Sequence, residues 1–311
     1  MIRVLFFGTE SVARAQLAAL LVDARFSIIE VVTQPPRPVG RKQIITKSPV
    51  HILAEENSLS VYTPVGLKSE EVFEHFAALK PDLIIVAQYG SIIPLRILQL
   101  APFGALNVHG SLLPKYRGAS PVHAAIIAGE KTTGVSFMMM DEKMDHGPIV
   151  SLYNCDITGD ETTETLMEKI ARLAAAHIAD TAAAIVAGTT IATAQNHDEA
   201  TFTTLLSRES GVIHADVQSA EEIARMIRGY SPWPGVSITL QNGESLKIIA
   251  AHTAPTISKN IGQITFGANE LLLQTKEGVL AITTLKPAGK NEMPADAFMR
   301  GHLELNGVFV Q

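Results

Sequence analysis

Leu83-Ile84-Ile85-Val86-Ala87 is a run of five apolar residues with no polar position, so neither face of a strand built from it can meet water. Such a strand belongs inside a sheet with helices packed on both sides. The preceding segments agree. "IRVLFF" (2–7) and "SIIEVVT" (27–33) are short and β-rich, whereas "SVARAQLAALL" (11–21), "SPVHILAEE" (48–56) and "EEVFEHFAALK" (70–80) have helical spacing. Strand and helix in alternation predict an α/β fold with an open, mostly parallel sheet. "ALNVH" (105–109) and "GVSFMMM" (134–140) should extend the sheet, and an Ala-rich helix from about Thr163 to Ala187 should close this half.

The texture changes at "AGTTIATAQNHDEAT" (187–201), where small and polar residues lose periodicity. A helix, "SAEEIARMIRGY" (219–230), is followed by β-rich segments punctuated by Asn242-Gly243, Gly262 and Glu277-Gly278, the pattern of a smaller β-barrel or sandwich. The expected organisation is a catalytic domain over 1–188, a linker over 189–204 and a C-terminal β-barrel domain over 205–311. With 311 residues, 47% of them hydrophobic, the chain can bury cores for two domains.

The single cysteine, Cys155, excludes an internal disulfide framework and a Cys-based zinc site, and points to the reducing cytoplasm. No apolar run approaches the ~20 residues of a membrane span, so no membrane partner is expected. A net charge of −6 argues against a general nucleic-acid binder. Residues 34–47, "QPPRPVGRKQIITK", nonetheless hold Arg37, Arg41, Lys42 and Lys47 with no acid. Pattern alone reads them as a solvated Pro/Gly loop, with a phosphate-contacting loop as the alternative.

Asn107 and His109 are two apart on a predicted strand, so they project from one face near its carboxyl end, where ligands bind in open α/β sheets. Gly110 then lets the backbone turn. After the next strand, "MMMDEKMDHGPI" (138–149) offers Asp141 and Asp145, either of which could orient His109. An amide, an imidazole and a carboxylate, with no nucleophilic Ser or Cys in an activating context, suit direct group transfer. Asn107 and His109 would donate to a developing oxyanion and an aspartate would manage protons. His146 reads as a loop histidine, and no metal site is expected.

Asn107-Val108-His109-Gly110-Ser111-Leu112-Leu113-Pro114, continuing through Arg117-Gly118-Ala119 to Pro121, resembles the signature of formyltransferases that use 10-formyltetrahydrofolate. "FFGT", "TQPPRPVGRK", "AQYGSIIP", "RGYSPWPG" and "LKPAGKNEMPADAF" extend the likeness nearly end to end, and it is nearest to the methionyl-tRNA formyltransferase family. That resemblance implies a Rossmann-like formyltransferase domain with Asn107, His109 and Asp145 as the catalytic set. It implies folate contacts at Ser111, Leu112, Leu113 and Pro114, with Tyr89, Gly90, Ile92 and Asp141 as pocket walls. It further implies formylfolate and initiator methionyl-tRNA as partners, a monomer, and a tRNA-facing role for Arg37, Arg41, Lys42 and Lys47, reversing the solvated-loop reading.

Two features depart from the family pattern. "GRKQIITK" is less lysine-rich than that family's loop can be, and residues 205–311 carry nine Lys plus Arg against ten Asp plus Glu. A formyltransferase acting on an amino-sugar nucleotide is the nearer competitor. A dinucleotide-binding oxidoreductase is the weaker one, because the first turn offers only Gly8 where that fingerprint needs three glycines.

Overall fold

The computed structural model describes residues 1–40, 42–241, 243–255 and 260–310. Arg41 of the basic segment and Asn242 of the expected Asn-Gly turn lie outside the described residues. In chain order the strands are β1 (Ile2–Gly8), β2 (Phe26–Val32), β3 (Arg37–Val39), β4 (Ile44–Thr46), β5 (Val61–Tyr62), β6 (Leu83–Ala87), β7 (Ala105–His109), β8 (Arg117–Gly118), β9 (Thr132–Met139), β10 (Ile149–Asp156) and β11 (Phe202–Thr203). They are followed by β12 (Val236–Thr239), β13 (Ser245–Ala254), β14 (Ile264–Phe266), β15 (Leu271–Gln274), β16 (Val279–Pro287) and β17 (Met293–Pro294). The helices are α1 (Ser11–Leu21), α2 (Pro49–Glu56), α3 (Glu70–Leu79), α4 (Leu95–Leu98), α5 (Pro121–Ala128), α6 (Thr163–Val186), α7 (Ala220–Gly229) and α8 (Ala295–Gly301).

The chain forms two compact units: 1–121 with 132–156 and 167–203, and 122–131 with 157–166 and 204–311. In the first, a seven-stranded sheet runs β10-β9-β7-β6-β1-β2-β5. Its five strands from β7 to β5 are parallel, whereas β9 pairs antiparallel with both β7 and β10. All five residues of β6 are buried, as its sequence demands. Leu5, Phe7, Phe76, Ile84, Val86 and Ile97 form one core layer. Ser48 and Ser69 cap α2 and α3 by accepting from the backbone N–H three residues on, which fixes where each helix starts. Strand order reverses between β1 and β6, so their carboxyl ends and that of β7 border the crevice expected for a ligand.

In the second unit the order is β12-β13-β16-β15-β14, with β17 beside β16. Bridges from Leu240 to Val310 and from Gln263 to Phe309 join the two ends of that sheet, closing a small barrel over Ile223, Ile227, Val236, Ile248, Ile282 and Phe298. Helix α7 begins with a full capping box in which Ser219 and Glu222 exchange hydrogen bonds.

The stretch expected as a linker belongs to the first unit as far as Thr203. Thr193 bridges Ile149, Gln195 is buried, and β11 pairs in parallel with β8. The linear boundaries 1–188, 189–204 and 205–311 stay our proposal for the domains of the chain.

Candidate active site

Asn107 and His109 project from the carboxyl end of β7, opposite Met138 and Ser136 of β9. Between β9 and β10 the chain turns through 140–148, and this loop brings Asp145 to the same place. Asn107 Nδ2 donates to Asp145 Oδ1 at 3.3 Å, and His109 Nδ1 lies 3.5 Å from Asp145 Oδ2. The backbone N–H of Gly118 donates to the same Oδ2 at 2.7 Å. Asp141, the other candidate carboxylate, instead accepts from the Lys143 N–H at 2.9 Å and pairs with His146 Nδ1 at 2.6 Å.

His109 is buried at 6% exposure, and its Nε2 lies 2.9 Å from the Tyr116 carbonyl oxygen. A peptide oxygen can only accept, so Nε2 carries the proton of that bond and Nδ1 is the nitrogen turned to the carboxylate. Asp145 and Tyr116 both have left-handed backbones, at φ 49° and 60°. Gly118 has φ 109°, and a Cβ there would collide with the Thr203 carbonyl; only glycine lets β8 lie against β11 and aim its N–H at Asp145.

The turn after β7 is braced from within. Ser111 Oγ donates to the Lys115 carbonyl at 2.7 Å, while Ser136 Oγ donates to the Ser111 carbonyl at 2.6 Å and accepts from Leu113 N–H at 2.9 Å. The Leu113-Pro114 peptide is cis. Ser111 and Leu113 are buried, and Leu112 and Pro114 are half-buried.

Just past the carboxyl end of β6, the Tyr89 ring packs edge-on against Phe7 in the core, and desolvation together with Tyr62 pushes its phenol up to about 12. Its carbonyl accepts from Thr9 Oγ1 at 3.0 Å and from Gln34 Nε2 at 3.2 Å, while Gly90 and Ile92 are exposed.

The basic segment folds as a hairpin of β3 and β4 in place of the loop its sequence predicts, because strands of three exposed residues carry no periodicity. Arg37 Nη2 donates to Gln34 Oε1 at 2.9 Å, and Lys47 Nζ reaches both Glu55 oxygens at 2.7 Å. Lys42 is exposed, as are the apolar Val39, Ile44 and Ile45.

Sequence reasoning also missed a group behind the Asp145 loop. The buried Arg117 donates from Nε and Nη2 to Gln195 Oε1 at 3.1 and 2.7 Å, and from Nη2 to His197 Nδ1 at 2.9 Å. His197 stacks on His146 with ring centroids 4.0 Å apart. Lost solvent, then the charges of His146, Arg117 and Lys143, hold the His197 imidazole below its ordinary pKa. Arg117 stood in the quoted motif, but Gln195 and His197 fell in the presumed linker. Among the described residues no cluster of three or more His, Cys, Asp or Glu is arranged to hold a metal ion, and no helix is long and apolar enough to cross a membrane.

Two protein families match the chain: "Formyl transferase" over residues 2–182 and "Formyl transferase, C-terminal domain" over residues 205–303. The methionyl-tRNA formyltransferase of Macrococcus caseolyticus is 38% identical over 301 residues, covering 97% of this chain and 96% of its own. That of Bacillus subtilis is 36% identical over 312 residues, covering 99% and 98%. Among solved structures, the N-formyltransferase from Helicobacter canadensis, in complex with folinic acid and dTDP-3-aminofucose, superposes with a TM-score of 0.65. It is 17% identical, with 91% of this chain and 99% of that one covered, which is a likeness of fold.

Proposed function

The chain belongs to the methionyl-tRNA formyltransferase family, and we propose that it transfers the formyl group of 10-formyltetrahydrofolate to the α-amine of initiator methionyl-tRNA, acting as a monomer in the cytoplasm. The product is N-formylmethionyl-tRNA, which serves translation initiation. The observation that carries this reading is that relatives of that name align over both domains, not the catalytic domain alone.

In this reading Asn107 spends one amide hydrogen on Asp145 and keeps the other for the oxygen of the attacked formyl group. As the amine nitrogen bonds to the formyl carbon, the carbonyl π pair moves to that oxygen, and the Asp145 carboxylate takes the proton the amine loses. Asp145 and His109 Nδ1 then hold the proton between them. It passes to the folate nitrogen as the carbon–nitrogen bond breaks, leaving tetrahydrofolate. Gly118 N–H and the Tyr116 carbonyl keep carboxylate and imidazole in register through both steps.

The folate is held between the 111–114 turn and the wall formed by the Tyr89 backbone, Gly90, Ile92 and the Asp141–Asp145 loop. Arg37, Arg41, Lys42 and Lys47 face the tRNA, where phosphate contacts supply a salt-dependent grip. The test offers labelled formylfolate to Met-tRNA, free methionine and amino-sugar nucleotides in parallel. Label is expected on Met-tRNA; label on an amino sugar but not on Met-tRNA would overturn the reading.

A further inference from the structure

Asp145 occupies a left-handed backbone conformation, φ 49°, which an aspartate tolerates at some cost. Its side chain is tied to Asn107 and Gly118, but those bonds do not set the backbone that carries it. Gln195 does. Its Nε2 donates to the Asp145 carbonyl at 3.0 Å and to the Gly147 carbonyl at 2.7 Å, so one amide group spans the turn. Its Oε1 accepts both hydrogen bonds from Arg117. Gln195 and Arg117 are 6% and 4% exposed, so neither has solvent as a ready substitute partner. The Arg117 bonds also fix which end of the amide faces the loop, because a guanidinium can only donate.

We propose that Gln195 is a positioning residue for formyl transfer: backed by Arg117, it holds the Asp145 loop so that the carboxylate meets His109 and the Gly118 N–H. The proposal rests on the reading of Asp145 as the proton-handling group. Without the two amide hydrogens, the carbonyls of Asp145 and Gly147 lose their shared donor and the left-handed turn relaxes. The carboxylate then leaves its place beside His109, and a displacement of about 1 Å costs roughly 10²-fold in rate. Gln195 touches neither the Ser111–Pro114 turn nor the basic hairpin in any of its hydrogen bonds, so Met-tRNA binding is spared, whereas folate, which packs on the Asp141–Asp145 loop, feels the same displacement.

The test uses the full chain and measures single-turnover formylation of Met-tRNA at saturating formylfolate, together with KM for each substrate and Tm. Gln195→Ala is expected to lower the rate constant about 10²-fold, with KM for Met-tRNA within about threefold of the parent. Gln195→Glu keeps an acceptor for Arg117 while removing the donors to the loop. It should stay folded and show the same loss, which keeps the proposal testable if Gln195→Ala misfolds. In an Asp145→Asn background, Gln195→Ala should change the residual rate by less than about twofold, since the group it positions is already gone.

A parent-like rate constant in folded Gln195→Glu would overturn the proposal, as would a loss confined to KM or Tm. Multiplicative losses in the double variant would overturn it while leaving the role of Asp145 intact. Normal turnover by Asp145→Asn alone would bring down both that role and this inference.

Discussion

The loop system at the end of β7 and the basic hairpin of β3 and β4 both carry charged side chains, yet they are built in opposite ways. Around Asp145 the polar groups answer one another: Asn107, His109 and Gly118 on the carboxylate, Gln195 on the backbone, Ser136 on the turn. In the hairpin all six strand residues are exposed, and three large apolar side chains, Val39, Ile44 and Ile45, stand 55%, 61% and 65% in solvent. Moving a proton between defined atoms demands positions fixed to a fraction of an ångström, whereas capturing a polyanion demands charge within a Debye length. The contrast therefore predicts that damage to the first region appears in kcat and damage to the second in KM.

After Asp145→Asn, the largest expected effect comes from Asn107→Ala, which removes an oxyanion donor and one tether of Asp145. It should lower kcat by about 10²-fold or more, corresponding to at least roughly 2.7 kcal/mol of transition-state stabilisation. A variant with a raised KM for Met-tRNA and parent kcat would break the contrast from the catalytic side.

A smaller effect is expected from Arg37→Ala combined with Lys42→Ala. Loss of two exposed cations should raise KM for Met-tRNA about tenfold and flatten the dependence of log KM on log salt by about one to two in slope. The KM for formylfolate should hold. If only the folate KM moved, the hairpin would not be the tRNA-facing element. Lys47 sharpens the same point: its ammonium is already paired with Glu55, so Lys47→Ala should weaken tRNA binding less than Lys42→Ala.

The smallest effect concerns Asp141. Burial raises its pKa, but the hydrogen bond from His146, the Lys143 N–H and the charges of both residues outweigh it, leaving the carboxyl below its ordinary range. A depressed folded pKa means stability that is present above the unfolded value of about 3.9 and lost as pH falls through the folded one. The Tm gap between the parent and Asp141→Asn, measurable at pH 6, should begin to narrow below about pH 4 and close once the pH lies below the depressed folded pKa. A gap that persisted there would show that the Asp141 charge contributes nothing.

Much of the fold was legible because burial leaves a pattern. "LIIVA" had to be an interior strand, "ALNVH" placed Asn107 and His109 on one face, and the signals at Gly262 and Gly278 spaced strands of the barrel. The parallel run from β7 to β5 followed from the alternation of strand and helix, but the direction of β9 was not legible, since an antiparallel β9 between β7 and β10 uses the same apolar alternation as a parallel one. Of the candidate site, chemistry and strand geometry yielded the amide–imidazole pair and left two aspartates open. In the structure Asp145 is the one beside His109, while Asp141 turns to His146. Gln195 could not be read at all, because its role lies in three hydrogen-bonding partners at sequence separations of 48 to 78 residues and in no local periodicity.

Single-turnover formylation of Met-tRNA by folded Asp145→Asn, at saturating concentrations of both substrates, addresses the catalytic claim most directly. The substitution keeps the shape of the side chain and removes its capacity to take a proton, so the rate constant should fall roughly 10³-fold with Tm and KM little changed. A rate constant near that of the parent would contradict the account.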